Sequence, residues 1–90
     1  MFAYILKAPG TIANDQTDEF FRRFTQTPGL LHAFDLQGID EPDDSVVVAI
    51  WESREAAQAY LDSAPLRKEV DDALPAVTRV MYEVRAANRD

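Results

Sequence analysis

SVVVAIWESREAAQAY, residues 45–60, is the stretch that decides the fold. It starts as a strand, because residues 46–51 form an unbroken apolar run that is rich in β-branched side chains. It continues as a helix, with Ser53 as the N-cap and Glu55 in the first turn, where a negative charge suits the helix dipole. A strand with apolar side chains on both of its faces is expected to be buried on both faces. A chain of 90 residues has few residues with which to cover two faces of a sheet. The stretch therefore predicts an α+β fold and indicates a partner subunit.

Length and composition predict one small domain spanning residues 1–90, with a polar tail from about residue 85. The hydrophobic content of 47% is typical of a globular protein. A formal net charge of −7 argues against nucleic acid or an anionic membrane as a partner. The absence of Cys excludes disulfides, thiolate nucleophiles and iron–sulfur clusters. No stretch has the ~20 apolar residues of a membrane span, and no signal peptide is evident, so we expect a cytoplasmic location.

Hydrophobic periodicity predicts the element order β-α-β-β-α-(α)-β. Strands are predicted at residues 2–7, 30–37, 46–52 and 77–84, where apolar, β-branched or alternating residues lie between turn signals. Helices are predicted at about residues 14–26, 53–63 and 66–74. Asn14 or Thr17 is suited to cap the first helix. This order predicts the ferredoxin-like arrangement, a four-stranded antiparallel sheet with its helices on one face.

The face of the sheet without helices would expose aliphatic and aromatic side chains. An apolar patch of that kind on a small protein usually marks an interface. We therefore predict a homodimer in which two copies pack sheet against sheet.

Two sequence pieces resemble a known family. Pro-Gly-Leu-Leu at residues 28–31 and Trp-Glu-Ser-Arg-Glu-Ala at residues 51–56 are similar to the antibiotic biosynthesis monooxygenase (ABM) domain, and the similarity spans residues 2–84. The resemblance implies a dimeric α+β barrel with a pocket between the helices and the sheet. It also implies that such a pocket can host the oxygenation of quinol-like, anthrone or polyketide-derived aromatics by O2 without metal or flavin. A related branch of the family degrades haem.

Some residues of the family patterns are missing from this chain. The haem-degrading branch needs an Asn in the first strand, which has none, and a Trp and a His where Tyr60 and Val70 stand. We therefore expect no haem degradation. The anthrone-oxidising pattern places an Asn and a Tyr at the positions of Val47 and Ala57, so only its Trp, here Trp51, is present.

Two functional hypotheses follow from these residues. The first is a cofactor-independent monooxygenase that oxidises a small hydrophobic aromatic. The alternative is a non-catalytic dimeric protein of the same fold that binds a small molecule or assists another enzyme. With one His and no Cys, a transition-metal site is not expected.

His32 is the candidate catalytic base, because a histidine with a pKa near neutrality could remove a phenol proton. A register that pairs Leu36 with Val47 would also pair His32 with Trp51. His32, Phe34 and Trp51 would then lie on one face of the sheet. A shift by one residue would place His32 on the opposite face from Trp51. The structural alternative for His32 is a partly exposed strand histidine without a task.

Aromatic residues are the candidate substrate contacts. Trp51 could stack on a substrate ring, or could instead anchor the core or an interface. The other candidates for substrate binding are Phe34, Tyr60, Phe24 and Tyr82, with Tyr4 as a further possible hydrogen-bond partner. Each of them could equally be a core residue. Asp35 and Arg79 lie inside predicted strands and could pair across the sheet or the dimer interface, although we expect each to face solvent at a sheet edge.

Overall fold

The computed structural model describes residues 1–88, apart from the side chain of Ser63. The strands are β1 (Phe2–Pro9), β2 (Leu30–Gln37), β3 (Asp44–Trp51) and β4 (Thr78–Glu83), and the helices are α1 (Asp15–Phe24), α2 (Arg54–Ser63) and α3 (Pro65–Ala73). The predicted element order is confirmed. Residues 85–88 of the predicted polar tail are exposed and lie outside any helix or strand, and the last two residues of that tail lie outside the described residues. Within residues 1–88, no helix has the length and apolar character needed to cross a membrane.

The four strands form one antiparallel sheet in the order β2-β3-β1-β4. This is the predicted ferredoxin-like arrangement, and β2 and β4 are its two edges, so one chain does not close a barrel. Helix α2 packs on β1 and β3, while α1 and α3 pack on each other. The helices and the sheet enclose the core between them.

Local signals position the helices. The side chain of Asn14 accepts hydrogen bonds from the backbone N–H groups of Gln16 and Thr17, at 2.8 and 3.1 Å. The Thr17 hydroxyl accepts the Asn14 N–H at 2.8 Å, which completes a capping box at the start of α1. Ser53 caps α2 through the N–H of Ala56, as predicted.

Residues that pair across the sheet show which side chains share a face. Tyr4 lies opposite Ala49 on one side and Met81 on the other, and this row faces the helices. The next row that faces the helices contains Asp35, Val47, Leu6 and Arg79. The intervening rows face away from the helices and contain, among others, His32, Phe34, Leu36, Val48, Ile50, Val80 and Tyr82.

Four aromatic rings from four elements form the centre of the core. Trp51 and Tyr4 are fully buried, and Phe24 and Tyr60 are nearly so. The Phe24 ring meets those of Tyr60 and Trp51 nearly edge-on, with centroids 5.2 and 5.9 Å apart. Contacts of this geometry add to the free energy gained by burial. The remaining buried members of the core are Ala49, Ala57, Leu66 and Val70.

The predicted pairing of β2 with β3 is wrong by one residue. The structure pairs Leu36 with Val46 and His32 with Ile50. The register shifts between Leu30 and His32, where β2 contains an irregularity. Because side chains alternate with a period of two, the one-residue difference between Leu36–Val47 and Leu36–Val46 places His32 on the face opposite Trp51.

Asp35 and Arg79 do not pair with each other across the sheet, and Asp35 has the expected solvent-exposed position at a sheet edge. The two residues lie on β2 and β4, which are opposite edges of the sheet. Arg79 instead contacts Tyr4 and Asp71.

Candidate functional site

A pocket lies between the helices and the helix-facing side of the sheet. It holds about 660 Å³ of free space, part of which is open to solvent. Its walls are predominantly apolar, as in most small-molecule sites. The lining residues are Leu6, Ala8, Thr11, Ala13, Thr17, Phe20, Phe21, Phe24, Asp35, Ser45, Val47, Tyr60, Leu66, Val70 and Leu74.

Helix α1 supplies the aromatic wall of the pocket. Phe20, Phe21 and Phe24 recur at the spacing of one helical face, so all three point to the same side of α1. An ion pair between Arg23 and Glu69 of α3, with an N–O distance of 2.5 Å, joins the two helices on their solvent side. The pair leaves the apolar faces of both helices free to line the pocket.

Short polar side chains lie where β3 meets the loop before α1. The Ser45 hydroxyl donates to the backbone oxygen of Thr11 at 2.7 Å and so ties this loop to the sheet. Thr17 is already engaged in the capping box of α1. These hydroxyls stabilise the pocket wall.

Asp35 and Tyr60 are the two titratable groups among the described residues that line the pocket. Partial burial raises the pKa of the Asp35 carboxyl, and the nearby carboxylate of Asp18 raises it further. Burial also raises the pKa of Tyr60, against the opposing charge of Arg79. Tyr60 therefore keeps its proton at neutral pH and is available as a hydrogen-bond donor, whereas Asp35 holds its proton more tightly than a solvated aspartate does.

An ion-paired arginine lies behind the pocket. The Nε of Arg79 donates to the Tyr4 hydroxyl at 2.5 Å, and its Nη1 donates to the carboxylate of Asp71. Arg67 also pairs with Asp71, with an N–O distance of 3.3 Å. Burial raises the pKa of Tyr4 well above its usual range, although the positive charge of Arg79 opposes this. Tyr4 therefore stays neutral and provides an acceptor oxygen for the half-buried guanidinium.

Trp51 forms the layer beneath the pocket. It lies outside the lining and packs on two residues that belong to it, Phe24 and Tyr60, with ring centroids 5.9 and 5.8 Å away. Its Nε1 is buried and has no hydrogen-bond partner among the described residues. Trp51 therefore shapes the pocket through its neighbours.

The structure brings together three of the six residues predicted for the site. Phe24 and Tyr60 line the pocket and Trp51 supports both. The other three lie on the opposite face of the sheet, where His32 pairs with Ile50, Phe34 with Val48 and Tyr82 with Ala3. In this chain they do not contribute to the pocket. The role of His32 as a base stays a prediction, and no contact of the pocket supports it.

Sequence reasoning missed Asp35 as a pocket residue. The alternation of β2 correctly placed Asp35 on the face opposite His32. The incorrect register then assigned the pocket to the face of His32. An acidic residue at an inward position of an apolar strand was the available signal.

Comparison with known proteins agrees with the fold. The family model described as antibiotic biosynthesis monooxygenase matches residues 10–72, which is more than half of the chain. Among curated proteins, none shows significant similarity to the sequence.

Several solved structures superpose on nearly the whole chain. SnoaB, a cofactor-independent oxygenase from Streptomyces nogalater, gives a TM-score of 0.76 at 19% identity and covers 99% of this chain and 97% of its own. The monooxygenase from the gene ActVA-Orf6 of Streptomyces coelicolor, in complex with the ligand nanaomycin D, gives a TM-score of 0.67 at 21% identity. The match covers 99% of this chain and 91% of that chain. A conserved protein from Methanosarcina mazei Go1 gives a TM-score of 0.64 at 15% identity, and the match covers 91% of this chain and 92% of that chain. At these identities the likeness shows a common fold. The family match over residues 10–72 goes further, and the chain belongs to the antibiotic biosynthesis monooxygenase family.

Proposed function

We propose that the chain is a cofactor-independent monooxygenase acting on a small, hydrophobic, electron-rich aromatic molecule. The observation that carries the proposal is the pocket between α1, α3 and the sheet, because its apolar and aromatic walls suit a flat ring system. Two titratable groups, Asp35 and Tyr60, face a predominantly apolar space. The cofactor-independent oxygenase SnoaB has this fold, and so does the ActVA-Orf6 monooxygenase that binds nanaomycin D.

The chemistry requires no metal or flavin, provided that the substrate itself reduces O2. A deprotonated electron-rich aromatic passes an electron to O2, and the resulting radical and superoxide combine at carbon. One oxygen atom enters the substrate as a ketone and the other leaves as water, so that RH2 + O2 gives R=O + H2O. The pocket then has to bind the ring, exclude bulk water and stabilise the developing oxyanion.

Tyr60 is the residue best placed to hydrogen-bond to a substrate oxygen. It lines the pocket, and burial keeps it protonated. Phe24 provides part of the apolar wall beside it.

Oxygen consumption with a panel of anthrones and naphthalene quinols tests this function. We expect uptake above the spontaneous rate, with one oxygen atom from ¹⁸O2 recovered in the product. Tyr60→Phe keeps the ring and removes the hydroxyl, so it should lower turnover by about tenfold, the equivalent of one hydrogen bond of about 1.4 kcal/mol. Tyr82→Phe removes a hydroxyl from the opposite face of the sheet and serves as the matched control.

The second candidate is a binding or accessory protein without turnover. The observation in its favour is the scarcity of polar groups in the pocket, together with the position of His32 on the other face. It predicts that the same aromatics raise the melting temperature while mass spectrometry detects no product. Oxygen uptake with product formation would rule it out.

The assembly that we propose is a homodimer formed through the helix-free face of the sheet. Phe34 and Tyr82 on this face are 54% and 52% exposed, and Leu36 and Val80 are each 48% exposed. Side chains of this kind on one contiguous face favour burial against a second copy.

A further inference from the structure

Asp35 is the one carboxylate among the described residues that line the pocket. Its position follows from the register, because Asp35 lies opposite Val47 and Val47 lies opposite Leu6, both of which line the pocket. Asp35 itself remains exposed to solvent. It therefore lies at the open side of an apolar cavity, where a bound molecule and water can both reach it.

The carboxylate of Asp35 is unpaired. Within the described part of the chain it accepts no hydrogen bond and forms no ion pair, whereas Asp71 is held by two arginines. The charged group that acts on it from α1 is Asp18. The other elements present neutral side chains to the pocket: Tyr60 from α2, Leu66 and Val70 from α3, Leu74 after α3, and Thr11 and Ala13 from the loop before α1.

Arg79, which lies in the same row of the sheet, does not neutralise Asp35. Asp35 and Arg79 lie in one row across the sheet, separated by Val47 and Leu6. Three steps between neighbouring strands separate their Cα atoms by roughly 14 Å. Arg79 is also already paired with Asp71. The pocket thus has an anionic group at its β2 edge and the neutral donor Tyr60 farther in.

We propose that Asp35 is the base of the reaction and selects neutral phenolic substrates over carboxylates. This inference rests on the proposed oxygenase function. The unpaired carboxylate accepts the hydroxyl proton of a bound phenol or of the enol of an anthrone. An anionic ligand would meet the charge of Asp35, with that of Asp18 nearby, and no cation among the pocket-lining residues.

The steps balance with O2 as the oxidant. The substrate O–H bond breaks and its proton moves to Asp35, which leaves an aromatic oxyanion. This anion gives one electron to O2, and superoxide then forms a C–O bond at the reactive ring carbon. The peroxide anion takes the proton back from Asp35. Loss of the C–H proton and cleavage of the O–O bond release water and leave a ketone, with Asp35 again a carboxylate.

Partial desolvation makes Asp35 a better base than a solvated aspartate. A base whose pKa lies closer to the working pH transfers a proton more effectively. The rate should therefore fall as the pH is lowered through the pKa of Asp35, and this acidic limb should lie at a higher pH than the pKa of a solvated aspartate would place it.

The kinetic test compares Asp35→Asn with Asp43→Asn, which removes the same charge from the exposed hairpin turn. With anthrone, we expect Asp35→Asn to lower kcat/KM by about 100-fold or more and to abolish the acidic limb. Asp43→Asn should keep the wild-type kcat/KM and the acidic limb. Asp35→Glu should have a kcat/KM between those of Asp35→Asn and the wild-type protein. An active wild-type protein whose Asp35→Asn variant is equally active would overturn the role of Asp35 and leave the oxygenase proposal standing. Absence of uptake by the wild-type protein would overturn the oxygenase proposal and the base with it.

Binding provides a readout that does not need turnover. We expect the wild-type protein to bind 1-naphthol more tightly than 1-naphthoate at pH 7 in calorimetric titrations. Asp35→Asn should narrow this difference, and Asp43→Asn should not. Equal narrowing by both variants, or by neither, would contradict the selectivity assigned to Asp35. Because the folded state raises the pKa of Asp35, it disfavours the charged form, so Asp35→Asn should remain folded at neutral pH.

Discussion

Gly29 is the residue at which the loop after α1 passes closest to α2. Its φ is +85°, in the left-handed region that side chains avoid, and a Cβ placed on it would lie 2.5 Å from the Cβ of Ala56. Its carbonyl also accepts the N–H of Glu52 at 2.9 Å, which joins the start of β2 to the end of β3. Gly29 therefore permits a close contact between residues 28–31 and residues 51–56, the two segments that resemble the family.

We predict that Gly29→Ala destabilises the protein more than Gly10→Ala does. Gly10 has a similar φ of +78°, but no other described residue apart from its two chain neighbours has an atom within 4 Å of an added Cβ. Gly10→Ala therefore reports the backbone strain alone, about 1–2 kcal/mol. Gly29→Ala adds the overlap with Ala56, which costs a further ~1–3 kcal/mol. Urea unfolding of both variants measures the difference. Equal losses in the two variants would show that the close approach to Ala56 does not restrict this position.

At the scale of the element, α1 is the wall on which the pocket depends. Its aromatic stripe is useful only if the helix starts at the right residue, and the capping box between Asn14 and Thr17 determines that start. Thr17 also lines the pocket, so the cap and the binding surface share a residue.

We predict that Asn14→Ala destabilises the protein by about 1 kcal/mol, because two N–H groups at the helix start lose their acceptor. Asn14→Ser keeps an acceptor at the N-cap and should lie close to the wild-type protein. Chemical unfolding measures both. If Asn14→Ser loses as much stability as Asn14→Ala, the cap is not the cause. Ligand affinity should fall slightly in the alanine variant, since Phe20 and Phe21 lie on the same helix.

The elements could be predicted from the sequence because their signals are local. Alternation located β2, and Ser53 located the start of α2 within one residue. The register of β2 against β3 could not be predicted, since the hairpin connection decides it: Leu36 pairs with Val46 instead of Val47, and this one-residue difference reverses every assignment to a face. This difference explains why the sequence analysis assigned His32, and not Asp35, to the face of the pocket.

The pairing of Arg79 was equally inaccessible to the sequence. Its partners, Tyr4 and Asp71, lie 75 and 8 residues away along the chain and meet it only after β4 has joined β1. The aromatic core was more accessible, because Phe24, Trp51 and Tyr60 each lie at an inward position of a local pattern. Local periodicity therefore identified the pocket wall, whereas its charged groups depended on tertiary contacts.

At the scale of the whole molecule, the sheet has two different faces. One face bears the helices and the pocket, and the other carries Phe34, Leu36, Val80 and Tyr82 in the open. Within residues 1–88, none of the seven elements covers the second face. The apolar side chains on both faces of β3 are explained if one face of the strand borders the pocket and the other lies in an interface.

We predict that Phe34→Glu converts the proposed dimer into a monomer. Phe34 lies on the helix-free face, opposite Val48 of the adjacent strand, and a buried carboxylate there would be unpaired against a second copy. Ile39→Glu introduces the same charge at an equally apolar residue that is 95% exposed in the hairpin turn, and it should leave the dimer intact. Sedimentation velocity at micromolar concentration separates the two forms. A wild-type protein that sediments as a monomer, or a Phe34→Glu variant that stays dimeric, would contradict an interface on this face. If Phe34→Glu dissociates the dimer and Ile39→Glu does not, the apolar residues of β2 hold the two sheets together.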